Sequence, residues 1–426
     1  MTPTQEEAAA WEPCLQGDTA DRALAIVERI AVELERYRYA PQNMGLVSGP
    51  AGLALLLFYL ADATGDGQRR GRGIERLRRA LQPQANTLGE DGSIFTGFAG
   101  LTWLVQHVPD VLEEDPEPWL EQTDAAIVTA LNAETWPGPF YYAEGLIGLG
   151  VYLLERRASA LARQGIARIV HHLEISAQRQ DGGAAWLRPA ESFPLAVRPP
   201  TAVFDLGIPR GVSGAVAFLS AVVAQDVVRE RAEPLLRQTI EWLLRQQTGP
   251  SRAGRFGDWF APGHCPPSAL RSAWCYGDLG VSLVLSTAAK ALGDVELLDF
   301  SRKLALETTE RSAADQQIED AGFCHGATGA GHLYSRLYRT FQDRRFLQAA
   351  KDAYGGSGNV AASQGIGVAS RLISEGVDPS FRHRPNPDCY GLRGYCPGVA
   401  LSMPTSHSAL GPLFFGQHLR SVPISA

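Results

Sequence analysis

The chain has 426 residues, of which 45 % are hydrophobic, so it can bury a large core, yet it is longer than a single ordinary core usually serves. Two domains or a repeat architecture are therefore expected. Charged residues make up 20 % of the chain and the formal net charge is −7. This balance excludes a basic nucleic-acid-binding surface and is typical of a soluble enzyme.

The start of the chain predicts no export signal. Residues 1–14 are polar and acidic, without a basic start or an apolar run, so a cytoplasmic location is expected. The best candidate for a membrane span is the uncharged stretch over residues 41–61, but it contains two prolines and three glycines, which favours a buried helix. Six cysteines spread through such a chain indicate metal or catalytic roles rather than a disulfide framework.

The first predicted element is an amphipathic helix over residues 19–37, where Val27, Ile30 and Leu34 share one face. An apolar helix opened by Gly49 follows it. The same alternation of an amphipathic and an apolar, glycine-opened helix continues along the chain, with almost no strand-like pattern. Each unit is therefore a helix pair with one solvent-facing and one buried member.

A Gly-x-x-Gly motif marks the start of each apolar helix, and its recurrence reveals the repeat. The six copies begin at Gly49, Gly97, Gly145, Gly211, Gly277 and Gly326. Glycines there permit positive φ and close backbone approach, as expected where many helix N-termini crowd toward one centre. We therefore predict an all-α fold, an (α/α) toroid of about seven helix pairs forming one domain over residues 1–426.

Two of the intervals between motifs are longer than the others, and a seventh repeat is degenerate. The excess maps to inserted loops at about residues 178–205 and 246–274, which are rich in glycine, proline and aromatic residues. The seventh unit is expected after Gly355, where the motif is matched only loosely.

Two repeats carry metal-ligating residues just before the repeat glycine. Cys275 precedes the fifth motif, and Cys324 and His325 precede the sixth. In a ring, equivalent positions of adjacent repeats are neighbours, so these three side chains should meet. Two thiolates and one imidazole suit a single Zn²⁺, and three protein ligands leave a fourth position open, as in catalytic zinc sites.

These residues also have simpler interpretations. A single buried cysteine is more often a small core residue than a ligand. Two rival ligand sets exist, the Cys389 and Cys396 pair and the His264-Cys265 dipeptide. Both lie in proline-rich loops outside the repeat register, so they rank below the first set.

With these motifs the chain resembles the lanthionine synthetase C family, the lanthipeptide cyclases and their eukaryotic relatives. The resemblance spans nearly the whole chain and rests on four segments: Glu144-Gly145-Leu146-Ile147-Gly148, Leu206-Gly207 with Arg210-Gly211, Trp274-Cys275-Tyr276-Gly277 and Cys324-His325-Gly326. It implies a double ring of seven inner and seven outer helices with zinc at the mouth of the inner ring.

The resemblance also implies an activity, the addition of peptide cysteine thiols to dehydroalanine or dehydrobutyrine to form (methyl)lanthionine rings. Its zinc ligands would be the three residues named above, and Arg271 would stabilise the enolate that the addition creates. Trp274, Tyr276 and Glu144 are assigned to substrate binding. The implied partners are a dehydrated precursor peptide and a separate dehydratase.

Two positions depart from the family pattern. The family usually has a histidine at Arg210 and an aspartate at Tyr141, which are thought to act as the acid/base pair. Arginine cannot serve as a general base, and tyrosine is a poor one near pH 7. Three outcomes stay open: thiol activation by zinc with Arg210 and Arg271 holding the enolate, a different acceptor, or lost catalysis.

Two alternatives belong to other functional classes. The first is a zinc-containing module that binds a thiol-bearing peptide or glutathione without chemistry. An α/α-barrel glycosidase would need two carboxylates at inner-helix starts, for which Glu144 and Asp278 are the candidates. Glu144 and His332 are also considered as replacement acids in a cyclase.

Overall fold

The computed structural model describes residues 14–37, 45–47, 49–81, 92–108, 111–248, 254–263, 271–318 and 321–360. In chain order the helices are α1 (Asp18–Arg36), α2 (Pro50–Thr64), α3 (Gly67–Leu81), α4 (Phe98–His107), α5 (Glu117–Leu131), α6 (Leu146–Glu155), α7 (Ala160–Ser176), α8 (Val212–Ala224), α9 (Arg229–Arg245), α10 (Asp278–Leu292), α11 (Val295–Thr309), α12 (Ala313–Gln316), α13 (Ala327–Phe341) and α14 (Arg344–Val360). The strands are β1 (Gln178–Gln180), β2 (Gly183–Ala185), β3 (Phe204–Asp205) and β4 (Trp259–Phe260).

The helices form two concentric layers, which confirms the predicted all-α toroid. The inner helices are α2, α4, α6, α8, α10 and α13, and each contacts the next one along the chain. In α2 every residue from Ala51 to Ala61 is buried, because nearly all of them are apolar. The outer helices are amphipathic, and α1 buries only Val27, Ala31 and Leu34.

The ring also makes contacts between its first and last described pairs. Helix α1 contacts α14 on the outside, and the Cys14 thiol donates a hydrogen bond to the Ser335 hydroxyl of α13 at 3.2 Å. The predicted seventh repeat lies outside the described residues, as do Cys389, Cys396, His264 and Cys265. No helix in the described ranges is both long enough and apolar enough to cross a membrane.

The two inserted loops contain short strands that the sequence pattern did not predict. Strands β1 and β2 form an antiparallel hairpin within the first insertion, with Gln178 opposite Ala185. Strand β3 pairs with β4, so that Phe204 lies opposite Phe260 and the first insertion is joined to the second. The insertions therefore form one connected structure beside the starts of α8 and α10.

The Gly-x-x-Gly motifs allow the chain to pack closely at the start of each inner helix. The first glycine is the N-cap of the helix in all six copies. A Cβ on the second glycine would fall within 3.0 Å of a carbonyl oxygen six residues earlier in the chain, at Leu46, Ile94, Tyr142, Ile208, Trp274 and Phe323 respectively. The expected close approach is confirmed.

The accompanying expectation of positive φ was wrong for five of the six N-cap glycines. Gly277 has a φ of 90°, whereas the other five have negative φ values. In every repeat the second motif glycine packs against a carbonyl oxygen of the loop that precedes it. Glycine is therefore required because there is no space for a Cβ, and not because of the backbone conformation.

Replacing Gly100 by alanine should lower the free energy of unfolding by about 1–3 kcal/mol, because the added methyl group overlaps the Ile94 carbonyl and the Leu46 side chain. The control is Gly71→Ala in α3, where a Cβ meets nothing within 4 Å. That substitution should raise stability by about 0.5–1 kcal/mol. Urea unfolding followed by circular dichroism measures both, and equal effects would contradict the packing argument.

Candidate metal centre

Main-chain hydrogen bonds tie the loops that precede the inner helices into a belt. Four of these bonds join equivalent residues of two repeats, namely the residues two positions before the first glycine of each motif. They run from the N–H of one residue to the C=O of the next: Val47 to Phe95 (3.0 Å), Phe95 to Ala143 (3.4 Å), Ala143 to Pro209 (2.9 Å) and Cys275 to Cys324 (3.2 Å). Pro209 has no N–H, and Ile208 N donates to the Cys275 carbonyl at 3.0 Å instead. The belt therefore sets equivalent residues of consecutive repeats side by side.

The belt brings the three predicted ligands together. The Sγ atoms of Cys275 and Cys324 and a ring nitrogen of His325 all lie within 4.8 Å of one another. Cys275 and His325 are buried and Cys324 is partly exposed. Ligands at the Zn–S and Zn–N lengths of about 2.3 and 2.0 Å would be about 3.5–3.8 Å apart around a tetrahedral ion. The donor set could thus hold a metal ion after small side-chain adjustments.

The electrostatics of the Cys275 and Cys324 thiols also favour a bound cation. The side-chain hydrogen bond between Cys275 and Cys324 and the burial of the site raise the pKa of Cys275 well above its usual value, while His325 and Arg271 act in the opposite direction. The Cys275 thiol is therefore held in the protonated form unless a cation is present. A metal ion deprotonates coordinating thiols outright.

Arg271 and Trp274 lie beside the loops that carry the three candidate ligands. Arg271 is buried, with 4 % of its surface exposed, and its charge favours the thiolate of Cys275. The Trp274 indole, also buried, has its ring centre 5.6 Å from that of Phe323. Phe323 in turn lies 5.6 Å from the ring of His332, which is buried within α13 and lies behind this aromatic layer.

Tyr276, assigned to substrate binding, is held from two sides. Its hydroxyl donates a hydrogen bond to Asp205 Oδ2 at 3.0 Å. Its ring lies over Gly207, where an added Cβ would come within 2.8 Å of both the ring and the Cys275 carbonyl. Asp205, which was not among the predicted site residues, is completely buried.

Arg188 is the second residue that the sequence analysis missed. Its guanidinium donates to Asp205 Oδ2 at 2.7 Å and to the Ser192 hydroxyl at 2.9 Å. The same group lies 3.6 Å from the centre of the Phe193 ring and 5.6 Å from that of Tyr141. One buried cation therefore joins the first insertion to the loops before α6 and α8.

Tyr141, at the family's aspartate position, is also buried. Its hydroxyl donates a long hydrogen bond of 3.4 Å to Ser192 Oγ. Burial raises the pKa of Tyr141 above its usual value. The residue therefore remains protonated near neutral pH and is a potential proton donor rather than a base.

Arg210, at the family's histidine position, is paired with Glu144. The guanidinium donates to both carboxylate oxygens, with Arg210 Nε 3.0 Å from Oε2 and Arg210 Nη2 bonded to Oε1. Both residues lie immediately before the first glycine of adjacent motifs and are partly exposed. The two residues form a bidentate ion pair at the mouth of the ring.

The carboxylates that a glycosidase would need are both occupied. Asp278 is completely buried and accepts hydrogen bonds from the backbone N–H groups of Arg255 and Phe256 at 3.0 and 2.9 Å. Its other partner is Arg311. With Glu144 bound to Arg210, the geometry does not favour the glycosidase hypothesis.

Comparisons with known proteins agree with this architecture. The family model described as "Lanthionine synthetase C-like protein" matches residues 40–365. The solved structure "Nisin cyclase" is similar with a TM-score of 0.66 at 18 % identity, covering 88 % of this chain and 97 % of the other. That likeness shows a shared fold.

Two further solved structures give weaker likenesses. An unsaturated glucuronyl hydrolase from Bacillus sp. GL1 gives a TM-score of 0.43 at 14 % identity, covering 82 % of this chain and 97 % of the other. A sugar epimerase from a ruminal bacterium gives 0.41 at 11 % identity, covering 75 % and 78 %.

Proposed function

The chain belongs to the lanthionine synthetase C-like family, and from this membership and the metal centre we propose that it is a zinc-dependent lanthipeptide cyclase. The reaction is the Michael-type addition of a peptide cysteine thiol to dehydroalanine or dehydrobutyrine, which forms a thioether ring. One observation carries the proposal: Cys275, Cys324 and His325 converge within 4.8 Å at the N-terminal end of the inner ring.

The donor set supports zinc in particular. Two thiolates and one imidazole are preferred zinc ligands, and three protein ligands leave room for an incoming thiol. Zinc bound there would supply a thiolate nucleophile near neutral pH, where a free cysteine with a pKa of about 8.5 is mostly protonated.

The protein's own residues then have to stabilise and protonate the enolate. Arg271 is buried beside Cys275, so its charge acts in a site of low dielectric constant, where it is most effective. Tyr141 stays protonated and is our candidate proton donor. Arg210, held by Glu144, orients the substrate rather than transferring a proton.

A second candidate function is a zinc-containing module that binds a thiol-bearing peptide or glutathione without chemistry. The Arg210–Glu144 ion pair favours it, because a fixed ion pair replaces a titratable histidine. In either case the partner is a peptide thiol. The cyclase would further require a precursor dehydrated by a separate dehydratase, and the proposed location is the cytoplasm.

Ring closure can be counted directly. The purified protein, incubated with the dehydrated precursor encoded nearest to its gene, should reduce the number of thiols that iodoacetamide alkylates, as read by mass spectrometry. Cys324→Ala is the matched negative control, because it removes one ligand while leaving Arg271 and Tyr141 in place.

A double variant separates the two candidate functions. Arg210→His with Tyr141→Asp restores the family residues and should leave ring closure unchanged or slower if the parent is an adapted cyclase. A parent that closes no rings and a double variant that closes them would show a binding module. Unchanged thiol numbers with both proteins would contradict the cyclase proposal.

A further inference from the structure

We propose that Arg188 and Asp205 are positioning residues for the metal centre, acting through Tyr276. This inference rests on the proposed function only in requiring that the three ligands hold a metal ion. Tyr276 directly follows Cys275 in the chain, so whatever fixes Tyr276 also fixes the direction in which the Cys275 thiolate points.

Tyr276 is anchored through both its hydroxyl and its ring. Its hydroxyl donates to Asp205 Oδ2 at 3.0 Å, and its ring covers Gly207 so closely that no Cβ would fit. Asp205 cannot follow a movement of Tyr276, because it also accepts from Gly207 N at 2.8 Å and from Arg188 Nη1 at 2.7 Å.

Main-chain hydrogen bonds also fix the position of Cys275 itself. Its N–H donates to the Cys324 carbonyl at 3.2 Å, and its own carbonyl accepts from Ile208 N at 3.0 Å. Cys275 is therefore fixed to the next repeat through its N–H, to the previous repeat through its carbonyl, and to Asp205 through the side chain that follows it.

The charges make this arrangement rigid. The side chains of Arg188 and Asp205 are 5 % and 1 % exposed, so removing either charge leaves the other buried without its partner, which is strongly destabilising. Arg188 also holds the Ser192 hydroxyl at 2.9 Å, which connects the first insertion to the site. The first insertion thus helps to fix the loop that contains Cys275.

The chain contains a second buried Tyr–Asp–Arg triad that serves as a matched control. Tyr152 donates to Asp124 Oδ1 at 2.9 Å, and Asp124 Oδ2 accepts from Arg156 at 2.9 Å. The side chains of Arg156 and Asp124 are 5 % and 0 % exposed. Arg156 follows the C-terminal end of α6. The three candidate ligands, by contrast, precede the N-terminal ends of inner helices.

The experiment compares Tyr276→Phe and Asp205→Asn with Tyr152→Phe and Asp124→Asn. Zinc affinity is measured by competition with a chromophoric chelator, and cobalt(II) is substituted so that its visible absorption reports ligand geometry. The two variants at the metal loop should bind zinc about tenfold more weakly or worse and should shift the cobalt bands, as loss of outer-sphere support does at other sites. The two control variants should keep the parental affinity and spectrum.

Each outcome decides the matter. Parental zinc affinity and cobalt bands in Tyr276→Phe would overturn the positioning role, and so would equal changes in both triads, which would indicate general loosening. Tyr276→Phe removes only a hydroxyl and decides the question if Asp205→Asn does not fold. A parent that binds neither metal would overturn the proposed function as well, whereas a metal-binding parent with unaffected variants overturns this inference alone.

Discussion

Cys275→Ala is expected to abolish stoichiometric zinc binding. The three ligand atoms lie within 4.8 Å of one another, and loss of one thiolate leaves two protein ligands, fewer than structural or catalytic zinc sites use. Because loss of mere outer-sphere partners costs about 10–100-fold in affinity, loss of a ligand should cost more than about 100-fold. Elemental analysis of dialysed protein measures the content directly.

Cys14→Ala is the matched control for this prediction. Cys14 is also a buried cysteine, but its thiol is bonded to Ser335 on α13, away from the ligand cluster. The variant should keep about one zinc per chain and lose only some thermal stability. Full zinc content in Cys275→Ala, or equal loss in both variants, would show that the metal does not bind where we place it.

The fold and the convergence of Cys275, Cys324 and His325 could be predicted because both depend on the repeat register. The belt of backbone hydrogen bonds joins residues two before each motif glycine, so Cys275 and Cys324 become neighbours by virtue of their position in the register alone. The second motif glycine marks where a loop meets its own carbonyl. Because this steric requirement is local and the same in every repeat, it produces a glycine pattern that can be recognised in the sequence.

Arg188 and Asp205 could not be predicted in this way. They lie in the first insertion, outside any repeat, and their partners are remote, with Asp205 and Tyr276 separated by 71 positions. Nothing in the local sequence distinguishes them from surface charges. Their role depends on burial and on a contact that only the three-dimensional arrangement creates.

The Arg210–Glu144 pair is an intermediate case, since the register contained a signal that was not used. Both residues lie immediately before the first glycine of adjacent motifs, the same relation that led to the metal ligands. The sequence prediction assigned Arg210 to holding the enolate, and Glu144 separately to substrate binding or to a replacement acid. The structure makes them one ion pair, so a change in either residue changes both.

Arg271→Lys should slow ring closure by about 10²–10³-fold while leaving zinc bound, the cost of losing one preorganised donor to a developing oxyanion. Arg271 is 4 % exposed and its charge already acts on Cys275, so its position suits an enolate formed next to the thiolate. Lysine keeps the charge but not the planar fork that can hold an oxygen from two directions. Single-turnover alkylation assays measure the rate.

The control for this substitution is Arg302→Lys on outer helix α11, where the arginine is paired with Asp343 at 2.8 Å and is 43 % exposed. Its rate should match that of the parent. Zinc content measured on the same samples separates a chemical effect from loss of the site, because an Arg271→Lys protein with full zinc and a slow rate has lost enolate stabilisation alone. A parental rate in that zinc-loaded variant would mean that the enolate is stabilised elsewhere, with Arg210 as the next residue to test.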